Sequence, residues 1–235
     1  MERLRLCPSM VKTKHLIIIK MENIAIFGAG GFGREVACLI NAINEQSPRW
    51  ELIGFFDDNS KLWGHSISHF GDCLGGRDAL NSFPEKLAVA IAVGNSSVVK
   101  KMVTYITNPN IYFPNLIHPN FHMADPDSFK IGKGNIIQRN CSVSCDVTIG
   151  NFNLFNGSIV MGHDDTVGDF NIFMPAARIS GSVNVGSHNF LGVGSIVLQQ
   201  IKIGNKVRLG AGSVVMRKPK DGFLYLGIPA KKIEL

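Results

Sequence analysis

Residues 131–215 read IGKGNIIQRNCSVSCDVTIGNFNLFNGSIVMGHDDTVGDFNIFMPAARISGSVNVGSHNFLGVGSIVLQQIKIGNKVRLGAGSVV. Every sixth residue of this run is apolar, from Ile131, Ile137 and Val143 through to Ile203, Leu209 and Val215, fifteen places without an insertion. Glycine follows the apolar residue at Gly132, Gly150, Gly168, Gly186 and Gly204, a strict spacing of eighteen. Six is therefore a face and eighteen a full turn. A chain that makes three short flat faces per turn stacks each residue on the one eighteen later, with coils roughly 4.8 Å apart. The inward positions then form three columns: Ile131, Ile149, Val167, Val185, Ile203; Ile137, Phe155, Phe173, Leu191, Leu209; and Val143, Met161, Ile179, Val197, Val215. Like stacks on like, as side chains filling a narrow prism should. The glycine after each inward residue is expected to let the chain turn the corner. A sandwich strand alternates with period two and would not hold a triangular phase over this length, so the spacing predicts a parallel β-helix.

Upstream the pattern changes. Asn23-Ile24-Ala25-Ile26-Phe27 reads as a buried strand, followed by Gly28-Ala29-Gly30-Gly31-Phe32-Gly33 and a helical pattern from Arg34 to Ile40. Such a glycine turn presents backbone N–H groups at a helix N-terminus, where a diphosphate can bind. A second strand, Leu52 to Phe56, ends in Asp57-Asp58, a place from which a carboxylate reaches a ribose or base. Further elements are expected at Arg77 to Phe83 (helix), Ala88 to Val93 (strand) and Ser96 to Ile106 (helix), with Gly94-Asn95 ending a strand where loops of such sheets meet ligands. Gly-x-Gly-x-x-Gly alone also fits a dehydrogenase. Only about four strands precede Pro114, too few for two mononucleotide halves, and the hexads leave no room for a substrate domain.

The fold class is thus α/β plus all-β, a small Rossmann-like domain followed by a β-helix. The expected boundaries are an untargeted, disordered extension at 1–20, a Rossmann-like domain at 21–112, a proline-bearing linker at 113–128, the β-helix at 129–216 and a tail at 217–235. Arg3, Arg5, Lys12 and Lys14 before Leu16-Ile17-Ile18-Ile19 imitate a signal peptide only faintly, and no apolar run approaches the roughly twenty residues of a membrane span. The five cysteines form no regular framework, which favours free thiols and a cytoplasmic setting. Cys141 and Cys145 lack the further ligands a metal site needs. The net charge of +6 is uneven: residues 1–20 carry +4, residues 201–235 carry +6, and the middle is acidic at −4. Broad nucleic-acid binding does not fit that distribution.

The hexads resemble those of the left-handed β-helix acyltransferases, the hexapeptide-repeat superfamily. A glycine-rich α/β domain placed first and the tail Gly227-Ile228-Pro229-Ala230-Lys231-Lys232 placed last resemble its NeuD/PglD-like branch of sugar O- and N-acetyltransferases. The likeness covers about 23–233. It implies a left-handed coil, acetyl-CoA as donor, no metal, and a homotrimer with sites between neighbouring prisms. It also implies an acceptor that is an amino-sugar nucleotide of the UDP-4-amino-sugar type, or a sialic acid-like sugar, in bacterial surface glycan biosynthesis. The first domain then holds the sugar nucleotide through Gly30, Gly31, Arg34, Asp57 and Asp58, although Phe32 replaces a polar residue common there. A scaffold trimer that binds sugar nucleotides without chemistry is the competing reading.

The chemistry is expected near His163. Eighteen-residue stacking gives it Cys145 one coil before and Gly181 one coil after, and a glycine there is expected to leave space above the imidazole. Histidine can take a proton from an attacking amine or hydroxyl at neutral pH, and an adjacent carboxylate can orient it. The resemblance places the family's base at His163 with Asp164 as its partner where glutamate is usual; Asp165 is a possible substitute. It places Ile172 where some relatives carry a second histidine. Pantetheine is expected along Gly181, Gly192, Gly210 and Ala211, and the adenosine phosphates at the basic C-terminal residues, Lys218 among them with Lys206 and Arg208, far from the first domain. The Gly181 N–H is the expected oxyanion donor. His118 and His122 are read as capping the first coil, and His188 as exposed surface.

Overall fold

The structure, a computed structural model, describes residues 21–234, so the reading of 1–20 lies outside it. The first domain is a four-stranded parallel sheet in the order β2-β1-β3-β4, from β1 (Glu22–Phe27), β2 (Trp50–Phe56), β3 (Leu87–Ile91) and β4 (Ile111–Tyr112). Helices α1 (Gly31–Gln46), α2 (Arg77–Asn81) and α3 (Ser96–Tyr105) connect them. β1 and β3 bury the runs Ile24 to Phe27 and Leu87 to Ile91 on both sheet faces, the pattern of strands covered by helices on each side.

Beyond it the chain coils into a three-sided prism of two-residue strands. Face I stacks Lys130–Ile131, Thr148–Ile149, Thr166–Val167, Asn184–Val185 and Lys202–Ile203. Face II stacks Leu116–Ile117, Ile136–Ile137, Leu154–Phe155, Ile172–Phe173, Phe190–Leu191 and Arg208–Leu209, and face III runs from His122–Met123 through Ser142–Val143, Val160–Met161, Arg178–Ile179 and Ile196–Val197 to Val214–Val215. From Lys130 to Val215 the partners are eighteen apart, as in Ile149↔Val167 and Phe155↔Phe173, whose rings stack at 4.6 Å. The inward columns are a single buried cluster.

Two boundaries move. The stretch expected to be a linker, 113–128, carries the first strands of faces II and III, and Ile117↔Ile137 and Met123↔Val143 pair twenty apart. Two extra residues after Met123 break the count of eighteen, which is why the first coil escaped the periodicity. The expected tail also continues face II: Leu224–Leu226 pairs parallel with Arg208–Leu209 and antiparallel with Lys231–Ile233, closing the end of the prism.

The corners correct the role given to glycine. The chain turns through residues in the left-handed region, mostly not glycine: Phe152, Phe170, His188 and Lys206 between faces I and II, and Asp146, Asp164, Ser182 and Gln200 between faces III and I, at φ from 53° to 62°. Left-handed backbone costs an L-residue about 1–2 kcal/mol. Stacking offsets it at the I–II corner, where Phe152, Phe170 and His188 lie parallel at 5.4 and 5.1 Å. The eighteen-spaced glycines serve instead for coil contact. A Cβ on Gly150, Gly168 or Gly186 would lie 2.6, 2.7 or 2.3 Å from the carbonyl oxygen of the next glycine up the column.

A ladder of buried asparagines ties the I–II corner together. Asn135, Asn153, Asn171 and Asn189 each accept on Oδ1 the backbone N–H eighteen residues on, at 2.8 Å. Each donates from Nδ2 to the carbonyl fifteen residues on, Gly150, Gly168, Gly186 and Gly204, at 2.9 Å. The first domain packs on this corner and on face II, through Ile136, Leu154 and Ile172 against the α1 side and Phe152 and Phe170 against the α3 side.

Gly186→Ala should destabilise the fold by about 1–3 kcal/mol, because the clash is with backbone that cannot swing away. Urea unfolding measures it, and an unchanged midpoint would contradict the close coil contact.

Candidate active site

His163 lies at the III–I corner, on the turn between Val160–Met161 and Thr166–Val167. Asp164 occupies the left-handed position of that turn, φ 58°, which aspartate tolerates better than most residues. The corner is pinned from both sides: Asp164 N–H donates to the Cys145 carbonyl at 3.1 Å, and the His163 carbonyl accepts from Ser182 N–H at 2.7 Å. His163 Nδ1 and Asp164 Oδ2 are 2.6 Å apart, with both side chains about 60% exposed (60% and 59%). A carboxylate on Nδ1 selects the tautomer that leaves Nε2 free to accept a proton.

The imidazole lies on Gly181, as the stacking predicts, but the space expected above the ring is where the ring itself sits. A Cβ on Gly181 would be 2.5 Å from Nε2 and 2.8 Å from Cε1. Gly162 is equally constrained, its Cβ falling 2.5 Å from Gly181 N. Among the described residues Gly181 N–H donates to no backbone carbonyl, so it is available beside Nε2.

Asp165, the possible substitute partner, points elsewhere. It is fully buried, its Oδ1 accepts Val183 N–H at 2.8 Å, and its Oδ2 has no hydrogen-bond partner. Burial pushes its carboxyl up to about 7. Its column is otherwise Val147, Val183 and Ile201, all buried, so a single acid in an apolar column is the signal the sequence carries for it.

The pantetheine set does not line one path. Gly181 is on the III–I corner, whereas Gly192, Gly210 and Ala211 are on the II–III corner, at the other edge of face III. Gly192 N–H donates to Leu209 O and Gly210 N–H to Tyr225 O, both 2.9 Å, so neither is free to pair with a ligand amide. The Leu226 side chain covers Gly210, within 1.8 Å of where a Cβ would stand. Gly181 and Ala211 keep their N–H groups unengaged with backbone carbonyls among the described residues, and Lys218 is exposed just past the end of face III.

In the first domain Gly30 is the N-cap of α1 and Gly31 its first residue, both exposed with open space where a Cβ would be, and Arg34 is exposed one turn on. Asp57 braces the glycine turn: its Oδ2 accepts Ala29 N–H at 2.9 Å and its Oδ1 accepts Asn59 N–H at 2.8 Å. Asp58 is paired with Arg77, whose hydrogen bonds hold its carboxyl below the usual range, so it is not free for a ribose. No spacing rule announced a partner nineteen residues away.

Two further expectations change. Lys206 and Arg208 are not remote from the first domain: with Lys100, Lys101, His188 and Phe190 they line a cleft of about 980 Å³ between α3 and the I–II corner. His188 is half-buried there, its ring stacked on Phe170, and desolvation together with Lys100 and Lys206 lowers its pKa. Ile172, where some relatives carry a second histidine, is buried at the domain junction on face II. His118 Nδ1 accepts Asn120 N–H at 3.0 Å beside the first coil. Among the described residues no cluster of three or more His, Cys, Asp or Glu could hold a metal ion, and no helix is long and apolar enough to cross a membrane.

The glycine turn and His163 occupy opposite sides of the prism, the first domain covering face II and the imidazole standing on the corner across from it.

Comparison with known proteins agrees with both halves of this architecture. Residues 23–106 match the PglD N-terminal domain. Over 91% of this chain and 100% of the other, the fold superposes on the acetyltransferase domain of PglB from Neisseria gonorrhoeae in complex with acetyl coenzyme A, at TM-score 0.82 and 27% identity. The first domain is thus shown to be of the PglD N-terminal type, and the whole chain is similar in fold to the PglD-like sugar acetyltransferases. Within that group WeeI from Acinetobacter baumannii is 26% identical with TM-score 0.79, covering 91% of this chain and 100% of its own. PerB from Caulobacter crescentus, solved with CoA and GDP-perosamine, is 25% identical with TM-score 0.78, over 92% and 99%. No curated protein sequence matches the chain.

Asp57→Ala should cost about 1–3 kcal/mol, because it strands the part-buried Ala29 N–H of the glycine turn. Asp58→Ala should cost less than about 1 kcal/mol, its pair with Arg77 being more than a third exposed. Chemical denaturation separates the two, and equal costs would contradict the bracing role of Asp57.

Proposed function

We propose that this chain is an acetyl-CoA-dependent N-acetyltransferase acting on the amino group of a nucleotide-linked amino sugar. The observation that carries the reading is the His163–Asp164 pair lying open on Gly181 in a chain of this fold. His163 Nε2 takes the proton from the attacking amine as its nitrogen bonds to the thioester carbonyl carbon, and returns it to the departing thiolate sulfur. Asp164 holds the ring and stabilises the imidazolium, a kind of assistance worth roughly 10²–10⁴ in rate. Gly181 N–H meets the developing oxyanion. Pantetheine lies along face III between Gly181 and Ala211, with Lys218 near the phosphates; Gly192 and Gly210 shape that surface rather than bonding to it.

A sugar nucleotide suits the first domain better than a free sialic acid. The open glycine turn at the N-terminus of α1, with Arg34 beside it, is built for a diphosphate. The GDP-perosamine bound in PerB supports the same acceptor class. Gly30, Gly31 and Arg34 contact the acceptor, while Asp57 supports the turn from beneath and Asp58 stays with Arg77. Because the turn and His163 of one chain face opposite ways, the acceptor held by one chain meets the imidazole of another, and a homotrimer satisfies that geometry.

His163→Ala should reduce kcat at least about a hundredfold with little change in thermal stability. Gly181→Ala should reduce it at least about tenfold, the ring being displaced while the exposed side chain absorbs the clash. Thiol release from acetyl-CoA over a panel of UDP-, GDP- and dTDP-amino sugars and free sialic acid measures both. Undiminished activity of His163→Ala would remove the base from the mechanism, and sialic acid as the sole acceptor would remove the nucleotide from the first domain.

A further inference from the structure

The buried acid next to the His163–Asp164 pair copies the bonding of the asparagine ladder. Asp165 immediately precedes the face I strand Thr166–Val167, just as Asn153 precedes Leu154–Phe155 and Asn171 precedes Ile172–Phe173 on face II. Its Oδ1 accepts the N–H of Val183, eighteen residues on, at 2.8 Å, the same bond at the same length as Asn153 Oδ1 to Asn171 N–H. In every asparagine rung the second atom, Nδ2, donates to the carbonyl fifteen residues on, at 2.9 Å. Counting fifteen from Asp165 gives Ser180, and among the described residues no backbone N–H donates to the Ser180 carbonyl. The atom of Asp165 that takes the Nδ2 place is Oδ2, fully buried and without a partner. An ionised carboxylate can only accept, so it would face that carbonyl with nothing to give. A protonated one has the missing donor.

We propose that Asp165 works as a neutral carboxylic acid, an asparagine-like rung whose Oδ1 accepts Val183 N–H and whose Oδ2–H donates to the Ser180 carbonyl. Those two groups flank Gly181 on either side. The rung therefore fixes the peptide on which the His163 ring lies, and Asp165 is a positioning residue for the reaction proposed above. On ionisation the proton leaves for solvent, the donor is lost, and the carboxylate is set against a carbonyl dipole, which loosens the corner.

The charged groups that bear on Asp165 are His163 and Asp164 of its own turn, the first favouring ionisation and the second opposing it. Its column neighbours Val147 and Val183 carry no charge. Burial is the largest influence; it outweighs the backbone N–H groups of Val183 and Gly162, which favour ionisation, as well as these two charges, and raises the carboxyl to about 7. The native state then keeps a proton that the unfolded chain gives up near pH 4, so this group makes stability fall as pH rises from about 4 to about 7 and level off above. The sign is opposite to that of a salt-bridged aspartate.

Asp165→Asn and Asp165→Val test it on the full chain. The asparagine variant should melt close to wild type near about pH 4 and several degrees higher near about pH 8, the gap opening between about pH 4 and about pH 7 and staying constant above. Its kcat/KM near about pH 6.5 should stay within about threefold of wild type and should lack a decline that wild type shows above about pH 7. The valine variant, folded by circular dichroism, should lose at least about tenfold in kcat/KM. A melting difference that does not vary with pH would overturn the proposal, as would an asparagine variant as impaired as the valine one, which would mean that the ionised carboxylate does the work. If wild type transfers acetyl to no amino sugar, the positioning role falls with the function, and the melting series still decides the rung because it needs no activity.

Discussion

Hydrogen bonding between coils, backbone N–H to carbonyl, is the interaction on which the other features depend. It fixes each residue of the prism over the one eighteen earlier, for example Gly150 N–H on Val167 O at 2.8 Å and Thr166 N–H on Val183 O at 2.9 Å. Two-residue strands bury little surface each and would not hold register alone. The apolar columns supply the burial, and the asparagine rungs satisfy polar groups that the tight corners would otherwise strand. The imidazole of His163 reaches Gly181 for no other reason than this vertical register.

How much the sequence discloses follows from how local the cause is. The prism was readable because its inward residues repeat with a fixed count, and the columns Phe155 on Phe173 and Val167 on Val185 stand where that count puts them. His163 on Gly181 was readable for the same reason. The first coil was not, because two additional residues between Met123 and Ile131 shift its partners to twenty. Nor was the engagement of Asp58, since its partner Arg77 arrives by tertiary folding. The purpose of the eighteen-spaced glycines is not legible in sequence: spacing shows that no Cβ is wanted, but not whether the reason is a turn or a neighbour's carbonyl. Lys206 and Arg208 were misplaced because sequence position along the prism says nothing of how far α3 leans up its side.

The packing of the first domain keeps the glycine turn and the His163 corner apart. Face II is covered by the first domain and the III–I corner is not, so the same packing that stabilises the monomer turns its glycine turn away from its own imidazole. A fold that divides its parts in this way makes sense as an assembly in which faces are shared. The basic cleft beside α3 lies on the covered side, away from His163.

The register itself is open to direct measurement. Thr166 and Asn184 are adjacent, exposed partners on face I, with Asn184 Nδ2 donating to Thr166 Oγ1 at 2.7 Å. Neighbouring strands are about 4.8 Å apart, within the reach of a disulfide, and strands two coils apart are not. Thr166→Cys with Asn184→Cys should cross-link under mild oxidation, whereas Thr166→Cys with Lys202→Cys should stay reduced. Cross-linking of the second pair, or none in the first, would contradict the eighteen-residue stacking and the placement of His163 with it.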